Sequence, residues 1–212
     1  MGRFQVRSWM KKHDLAVKQK RRFKLTTDSR HNEPVADNVL DRRFDVKQPN
    51  QVWTTDITYL WTNEGWLYLA VVVDLFSRQV IGWSVQEHMR TSLCLEALNM
   101  AWFRRKRPEG VLHHSDRGSQ YASDEYRRQL KDYAMTQSMS RKGNCWDNSP
   151  TERVFRTLKS EWLSRFNFQT KSQTKKEVWH YISYYNSQRI HSTLDYQTPM
   201  AYEEQYCLRE VA

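Results

Sequence analysis

The chain of 212 residues has only three cysteines, Cys94, Cys145 and Cys207. They are odd in number and far apart, and none forms a Cys-x-x-Cys pair, so we expect neither a disulfide framework nor a zinc site. Such cysteine usage fits a reducing cytoplasm. The longest apolar run, residues 66–73, is too short to span a bilayer, and the first six residues lack an apolar signal region. These absences predict a soluble cytoplasmic protein with no membrane segment.

Acidic residues are outnumbered, because 34 Lys and Arg against 24 Asp and Glu give a formal net charge of +10. Residues 1–48 carry thirteen basic and six acidic residues, a net charge of +7, whereas residues 49–212 carry a net charge of +3. A basic arm ahead of a nearly balanced domain suits a polyanionic partner, of which nucleic acid is the commonest. The alternative is an ordinary solvated surface. We therefore divide the chain into a basic arm, 1–48, and a domain, 49–212.

The hydrophobic pattern predicts regular elements from residue 52 onward, with no internal repeat. Three strand-like runs separated by short turns, at 52–60, 66–73 and 80–85, predict an antiparallel meander. The next elements are a helix at 91–107, a strand at 111–115, a helix at 123–133, a strand at 135–138 and helices at 150–166 and 174–186. In the arm we expect a short helix at 4–15 and then extended chain. This order predicts an α/β fold with a mixed sheet.

Three acidic residues occupy informative places in this pattern. Asp56 lies inside the apolar run 52–60, where burial of a carboxylate is costly unless a cation pairs with it. Asp116 follows the fourth strand, and Glu152 opens a helix, with thirty-five residues between the two. Each signal is weak alone, since an aspartate at a strand end is usually a turn former. Together they predict a three-carboxylate site for Mg²⁺ or Mn²⁺, which in its two-ion form supports phosphoryl transfer on nucleic acid.

Basic residues accompany these acids. On the helix that begins near Pro150, Glu152, Arg156 and Lys159 are spaced i, i+4 and i+7 and share a face. We expect Arg156 and Lys159 to contact DNA phosphates, although an ordinary surface pair of Glu152 and Arg156 is the alternative. The loops that flank the acids carry further candidates for DNA backbone contacts, namely Arg117, Arg141 and Lys142.

Other polar and aromatic residues near the acids have simpler interpretations. His113 and His114 are adjacent on a strand, and imidazole is a poor ligand for Mg²⁺, so we expect them in the core or behind the metal ligands. Asp74 is expected to stabilise a turn rather than to be a fourth ligand. Trp146 is expected in the core rather than as a platform for base stacking.

Several motifs of the chain resemble a known family. They are Trp53–Tyr59, Asp74–Arg78 with Gly82 and Trp83, His113–Tyr121, Ser138–Asn144, Asp147 and Asn148, Glu152 with Leu158 and Lys159, and Tyr184–Asn186 with Arg189 and His191. Together they are similar to the catalytic subunit of bacterial insertion-sequence transposases of the copy-out, paste-in type. This family belongs to the integrase-core superfamily, which has a ribonuclease H-like fold and includes retroviral integrases. The similarity extends over about residues 20–205.

The resemblance implies a ribonuclease H-like mixed sheet of five strands flanked by helices. It implies Asp56, Asp116 and Glu152 as the acidic triad, with Lys159 below it, and Mg²⁺ as cofactor, replaceable by Mn²⁺ and bound as two ions. It also implies cleavage and transfer of DNA strands at transposon ends by a homo-oligomer on DNA, in the bacterial cytoplasm at the nucleoid.

Two features depart from the family pattern. Residues 1–48 are expected to be the remnant of a helix-turn-helix region, and Asp195 stands where glycine is usual, so the turn there is expected to differ. Two rival functions fit the same residues: a nuclease of this fold, and a truncated DNA-binding inhibitor of transposition.

Overall fold

A computed structural model describes residues 2–15, 33–166 and 170–211. At its centre is one sheet with strands β1 (Val52–Thr62), β2 (Gly65–Asp74), β3 (Val80–Gln86), β4 (Leu112–Ser115) and β5 (Thr136–Met139). The strands lie in the order β3-β2-β1-β4-β5. β1, β2 and β3 form an antiparallel meander, and β4 and β5 continue the sheet in parallel with β1. The predicted mixed sheet of five strands is confirmed.

The described residues form seven α-helices. They are α1 (Arg3–Lys12), α2 (Thr91–Arg104), α3 (Ser119–Ala122), α4 (Asp124–Asp132), α5 (Ser149–Thr157), α6 (Lys171–Ser187) and α7 (Pro199–Val211). The predicted helices are present with shifted ends, whereas α3 and α7 were not predicted. None of the helices in the described ranges is both long enough and apolar enough to cross a membrane.

The sheet divides the core in two, because successive strand residues point to opposite faces. Trp53 and Val72 pack with α2 and α4, whereas Leu60 and Val71 pack with α5 and α6. Asp56 pairs with Val71 in the register of β1 and β2 and therefore belongs to the α5 and α6 face. On the other face, a Cβ at Gly82 would lie 2.2 Å from the Ala97 carbonyl oxygen, so only glycine permits this approach of α2 to β3.

Part of the predicted basic arm packs on the sheet. This segment, residues 37–44, is called the strap below. The Ser138 hydroxyl oxygen on β5 accepts hydrogen bonds from the backbone N–H groups of Val39 and Leu40, at 3.0 and 3.1 Å. The Leu40 side chain is only 1% exposed. The arm boundary at residue 48 stays a prediction, but the strap is part of the packed structure.

The helix that carries Glu152 continues to Arg165, close to the predicted end at residue 166, but it is not one regular α-helix. The α-helix ends at Thr157, and a π-helical turn, Leu158–Trp162, and a 3₁₀ turn, Leu163–Arg165, follow. Trp162 explains the change, because its indole N–H donates to Glu177 on α6 at 2.9 Å. Packing against α6 therefore outweighs the local preference for α-helix, and π turns of this kind frequently occur at functional sites.

The turn before α7 keeps a glycine-like backbone although it has no glycine. Asp195 has φ of 50° and ψ of 42°, which is the left-handed conformation. Aspartate is one of the few residues other than glycine that adopt this conformation readily. The family pattern led us to expect a different turn at Asp195. The left-handed backbone that Asp195 adopts is one that glycine adopts as well.

Candidate active site

The pairing of β1 with β4 brings two of the predicted acids together. Thr54 on β1 pairs with His114 on β4 in parallel register. Asp56 and Asp116 each lie two residues further along, so both side chains are on the same face of neighbouring strands. Both are half-buried. The Asp56 carboxylate accepts the Ile57 N–H at 2.8 Å, and the Asp116 carboxylate accepts the Gly118 N–H at 2.9 Å.

Helix α5 brings the third acid to the same face. The Thr151 hydroxyl donates to the Thr54 hydroxyl at 2.7 Å, and the Asn148 side-chain amide donates to the Thr55 carbonyl at 3.0 Å. These bonds fix the first turn of α5 on β1, immediately before the position of Asp56. Glu152 follows Thr151 and is half-buried. The sequence-predicted triad is therefore brought to one face of the sheet.

The three carboxylates act on one another electrostatically. Burial raises the pKa of Asp56 well above its usual value, and the negative charges of Asp116 and Glu152 raise it further. Burial and the charge of Asp116 likewise raise the pKa of Glu152. Lys159 acts in the opposite direction and lowers the pKa of Asp56, which places its ammonium group within range of the acids. The arrangement is a cluster of negative charge that a cation would stabilise.

The carboxylates do not form a closed cage. Among the described residues, no three His, Cys, Asp or Glu side chains are close enough to hold a metal ion as they stand. The donor set itself, three hard oxygen ligands, is the type that Mg²⁺ and Mn²⁺ prefer.

The predicted DNA contacts on α5 and the following π turn lie near the acids. Arg156 is exposed, and Lys159 is half-buried. Glu152 and Arg156 form no salt bridge with each other, so the alternative of a simple surface ion pair is not observed. The contact of Arg156 and Lys159 with DNA stays a prediction.

The loop arginines make contacts within the protein. The Arg117 guanidinium donates to the Ser140 carbonyl at 2.7 Å and so ties together the two loops that flank the acids. The Arg141 guanidinium donates to both carboxylate oxygens of Asp147, at 3.0 and 2.9 Å. Lys142 is exposed. The structure thus gives Arg117 and Arg141 a positioning role, and the proposed DNA contacts of all three stay predictions.

Asp147 organises this loop, and sequence analysis did not assign it a role. Its buried carboxylate accepts hydrogen bonds from Arg141 and, on the strap, from Asn38 at 3.0 Å and Arg42 at 2.7 Å. The hydrogen bond from Arg141 is the largest of the effects that hold its pKa well below the usual range. The sequence offered one signal, an aspartate six residues after an arginine in the same loop. The partners on the strap have no such local signal.

The other candidates have structural roles, with one exception. His113 and His114 are buried, with Nε2 of His113 lying 3.1 Å from the Tyr126 hydroxyl and Nδ1 of His114 lying 2.9 Å from the Ser138 hydroxyl. Asp74 accepts the Phe76 N–H at 3.0 Å and stabilises the turn, as predicted. The expectation that Trp146 is a core residue was wrong, because its side chain is 69% exposed.

Comparison of the sequence with known proteins identifies its relatives. Two sequence-family models, each described as "Integrase core domain", match residues 46–145 and 133–199. The chain is 43% identical over 207 residues to the "Insertion element IS600 uncharacterized 31 kDa protein" of Shigella sonnei, covering 97% of this chain and 76% of that protein. It is 43% identical over 199 residues to "Transposase InsF for insertion sequence IS3A" of Escherichia coli strain K12, covering 93% and 69%.

Solved structures share the fold. The simian T-cell lymphotropic virus intasome in complex with PP2A regulatory subunit B56 gamma aligns with a TM-score of 0.61 and 21% identity, over 78% of this chain and 56% of the other. The HTLV-2 integrase catalytic core domain in complex with magnesium, in its trimeric form, aligns with a TM-score of 0.57 and 18% identity, over 74% of this chain and 97% of the other. The ribonuclease H-like fold is thereby confirmed. Because 43% identity extends along nearly the whole chain, the protein belongs to the family of insertion-sequence transposases that are built on an integrase core domain.

Proposed function

We propose that the protein cleaves DNA strands and transfers them at the ends of an insertion sequence, with Asp56, Asp116 and Glu152 as its catalytic carboxylates. The convergence of these three side chains on one face of β1, β4 and α5 carries the proposal. The raised pKa values of Asp56 and Glu152 support it, because perturbed carboxylates that cluster together are typical of functional sites. The relatives named as transposases favour this function over a nuclease or an inhibitor.

The same carboxylates are proposed to hold Mg²⁺, or Mn²⁺ in its place, as two ions. Three clustered carboxylates supply hard oxygen ligands, and the half-buried positions of Asp56 and Asp116 leave access for a cation. When bound, divalent ions stabilise the negative charge on the attacking and leaving oxygens of phosphoryl transfer. Asp56 is fixed by its strand and Glu152 by the anchored first turn of α5, so both ligands stand on rigid elements.

The substrate is proposed to be DNA, both transposon end and target. The residues proposed to contact its backbone are Arg156, Lys159, Arg117, Arg141 and Lys142. Arg117 and Arg141 are in addition proposed to hold the loops beneath the DNA. A homo-oligomer on DNA is supported by the HTLV-2 integrase cores, which are described in trimeric and dimeric forms. We place the protein at the nucleoid in the cytoplasm, where such DNA lies.

Joining of pre-cut DNA ends tests the proposal most directly. Duplexes carrying the inverted repeats that flank the gene are incubated with Mg²⁺ and either the wild type or Glu152→Gln. The substitution keeps size and helix propensity but removes one charge from the triad, so strand joining is expected to fall by orders of magnitude while DNA binding persists. Glu125→Gln, at an exposed site in the first turn of α4, is the matched control and is expected to join normally. Near-complete joining by Glu152→Gln would remove Glu152 from the triad.

A further inference from the structure

The chain between β5 and α5, residues 140–148, is tied at both ends to the strands that carry the acids, and it is called the bridging loop below. At its start, the Ser140 carbonyl accepts a hydrogen bond at 2.7 Å from the guanidinium of the residue after Asp116. At its end, the Asn148 side-chain amide donates at 3.0 Å to the carbonyl of the residue before Asp56. The bridging loop therefore has a fixed position beside both aspartates.

Asp147 braces the inside of the bridging loop. Its carboxylate is fully buried and accepts hydrogen bonds of 2.7 to 3.0 Å from Arg141 in the loop and from two side chains of the strap. The backbone N–H of the preceding residue, Trp146, donates to the Asn144 side-chain oxygen at 3.2 Å. The backbone that carries Trp146 is thus held by hydrogen bonds on both sides.

The Trp146 side chain extends into solvent from this braced backbone. At 69% it is the most exposed tryptophan in the described part of the chain. The next most exposed, Trp61 and Trp179, each contact a neighbouring ring, whereas the Trp146 indole contacts no aromatic ring and no cation within the described ranges. Single exposed apolar side chains are common. This one, however, stands on a backbone that is already ordered beside the acids, so binding a ligand costs it little further entropy.

Position and charge indicate a nucleic acid as that ligand. Trp146 lies two residues before Asn148, so its Cα is no more than about 7 Å from the residue that contacts β1 next to Asp56. The same loop carries the exposed Lys142 and the Arg141 side chain, which is 48% exposed. An aromatic ring beside positive charge is the combination that binds the bases and the backbone of a single strand.

We propose that Trp146 stacks on the base next to the scissile phosphate and holds it out of the duplex. This inference rests on the proposed function, which places the scissile phosphate at the three carboxylates. Inside a duplex both faces of a base are covered by its neighbours, so the indole needs a base that has left its pair. Stacking on the indole offsets part of the free energy that unpairing costs. Because stacking tolerates any base, Trp146 positions the strand and does not read its sequence.

Photocrosslinking without strand joining tests the contact. The duplex carries an inverted repeat joined to flanking DNA, with 5-iodouracil next to the cleavage site, and all proteins carry Glu152→Gln. Mass spectrometry is expected to locate the crosslink at Trp146, and Trp146→Ala should lose it. Trp61→Ala is the matched control, since Trp61 lies five residues beyond Asp56 on β1, about 17 Å away and on the other face of the sheet. It should retain the crosslink.

Two results of this measurement would overturn the stacking contact. One is an undiminished crosslink in Trp146→Ala, which would place another residue against the base. The other is an equal loss in Trp146→Ala and Trp61→Ala, which would show a general effect on DNA binding. Iodouracil placed ten base pairs inside the repeat gives the background and should not crosslink to Trp146.

Rescue by an unpaired base separates stacking from a merely structural role. With fully paired DNA, Trp146→Ala is expected to lower strand joining about tenfold, the loss of one base stack, and Trp146→Phe should lower it less because a phenyl ring still stacks. A mismatch at the base next to the cleavage site removes the cost of unpairing and should restore most of the joining by Trp146→Ala. A defect that the mismatch leaves unchanged would overturn extrusion of the base.

The two measurements also separate this inference from the proposed function. Crosslinking needs DNA binding alone, so a crosslink at Trp146 without joining by the wild type would refute the proposed catalysis and keep the stacking contact. Normal joining by Trp146→Ala without a crosslink in the parent protein would refute the stacking contact and keep the catalysis.

Discussion

The fold places the Asp56 carboxylate beside two others. In the metal-free protein, this arrangement lowers the free energy of unfolding when the carboxylates are charged. The raised pKa of Asp56 means that the folded protein binds more protons than the unfolded chain between the usual aspartate pKa of 3.8 and the raised pKa of the folded state. The free energy of unfolding therefore falls as pH rises through the folded-state pKa. A divalent cation raises the free energy of unfolding again, because it binds the three charged carboxylates that only the folded protein brings together.

We therefore expect Asp56→Asn to stabilise the metal-free protein at neutral pH and to weaken the effect of metal. Thermal melts in chelator from pH 5 to 8 should show a smaller loss of stability with rising pH in the variant than in the wild type. Millimolar Mn²⁺ should raise the melting temperature of the wild type and raise that of the variant less. Asp132→Asn, exposed on α4, is the control and should match the wild type. Equal Mn²⁺ shifts in wild type and Asp56→Asn would show that Asp56 is not a ligand.

Single residues differ in how far the sequence reveals them. Asp56 could be predicted because a carboxylate is unusual in an apolar strand, so its local context marks it. Asp147 could not, because the residues that bind its carboxylate include Asn38 and Arg42, which precede it by 109 and 105 positions. Only the folded chain brings them together. Arg117 was hidden in the same way, because the Ser140 carbonyl that it contacts lies 23 positions further along the chain. Arg141 contacts Asp147 only six positions away, but the loop sequence does not show that this carboxylate is buried.

At the level of elements, the strands were predictable and the helix ends were not. β1 and β2 are short runs rich in apolar and β-branched residues with a clear turn between them, so local pattern and final structure agree. The π turn after α5 depends on Trp162 meeting Glu177, which lies on α6 and has no sequence signal at the turn itself. α7 was overlooked although Pro199 at its start is a typical first helical residue.

Contacts between α7 and the core show why this helix matters. Glu203 on α7 forms a bidentate salt bridge with Arg105, just after α2, and accepts the Ser77 hydroxyl at 2.6 Å. The side chains of Arg105 and Glu203 are only 13% and 12% exposed, so solvent screens this pair little. Phe76 packs its ring against Tyr202 and Tyr206 of α7. The helix thereby covers the turn that Asp74 stabilises.

Glu203→Gln is expected to lower the free energy of unfolding by about 1–3 kcal/mol, because Arg105 would lose the closer of its two charged partners in a mostly buried place and keep only Asp74, at 3.5 Å. Chemical denaturation followed by tryptophan fluorescence measures the loss. Glu204→Gln is the matched control, since Glu204 is the next residue on α7 and is exposed. Equal stability of the two variants would mean that α7 contributes little through this salt bridge and is held by the Phe76 contacts instead.

At the scale of the whole molecule, the basic arm combines two different parts. Residues 1–32 carry ten Lys and Arg against two Asp, a net charge of +8. Within them, α1 has no buried residue and carries four basic side chains. The strap, residues 37–44, instead packs on the core through Leu40 and through the contacts of Asn38 and Arg42 with Asp147. Charge and packing are thus separated along the arm, and two deletions distinguish them.

Deleting residues 1–32 is expected to weaken duplex DNA binding and to flatten its salt dependence, because fewer counterions are released when fewer basic residues meet the phosphates. The free energy of unfolding should change little.

Deleting residues 1–45 should weaken binding as well but also destabilise the fold by several kcal/mol, since it removes the buried Leu40 side chain and leaves buried Asp147 without two of its hydrogen-bond donors. Salt titrations of binding and denaturant melts on the same three proteins measure both effects. A full-length variant with Lys18, Lys20, Arg21, Arg22 and Lys24 replaced by glutamine serves as the control for length; it removes five of the ten basic residues of 1–32 and should flatten the salt dependence in part. If the 1–32 deletion and the full-length protein gave the same slope of log Kobs against log salt concentration, the arm would not be a DNA contact, and its charge would be an ordinary solvated surface.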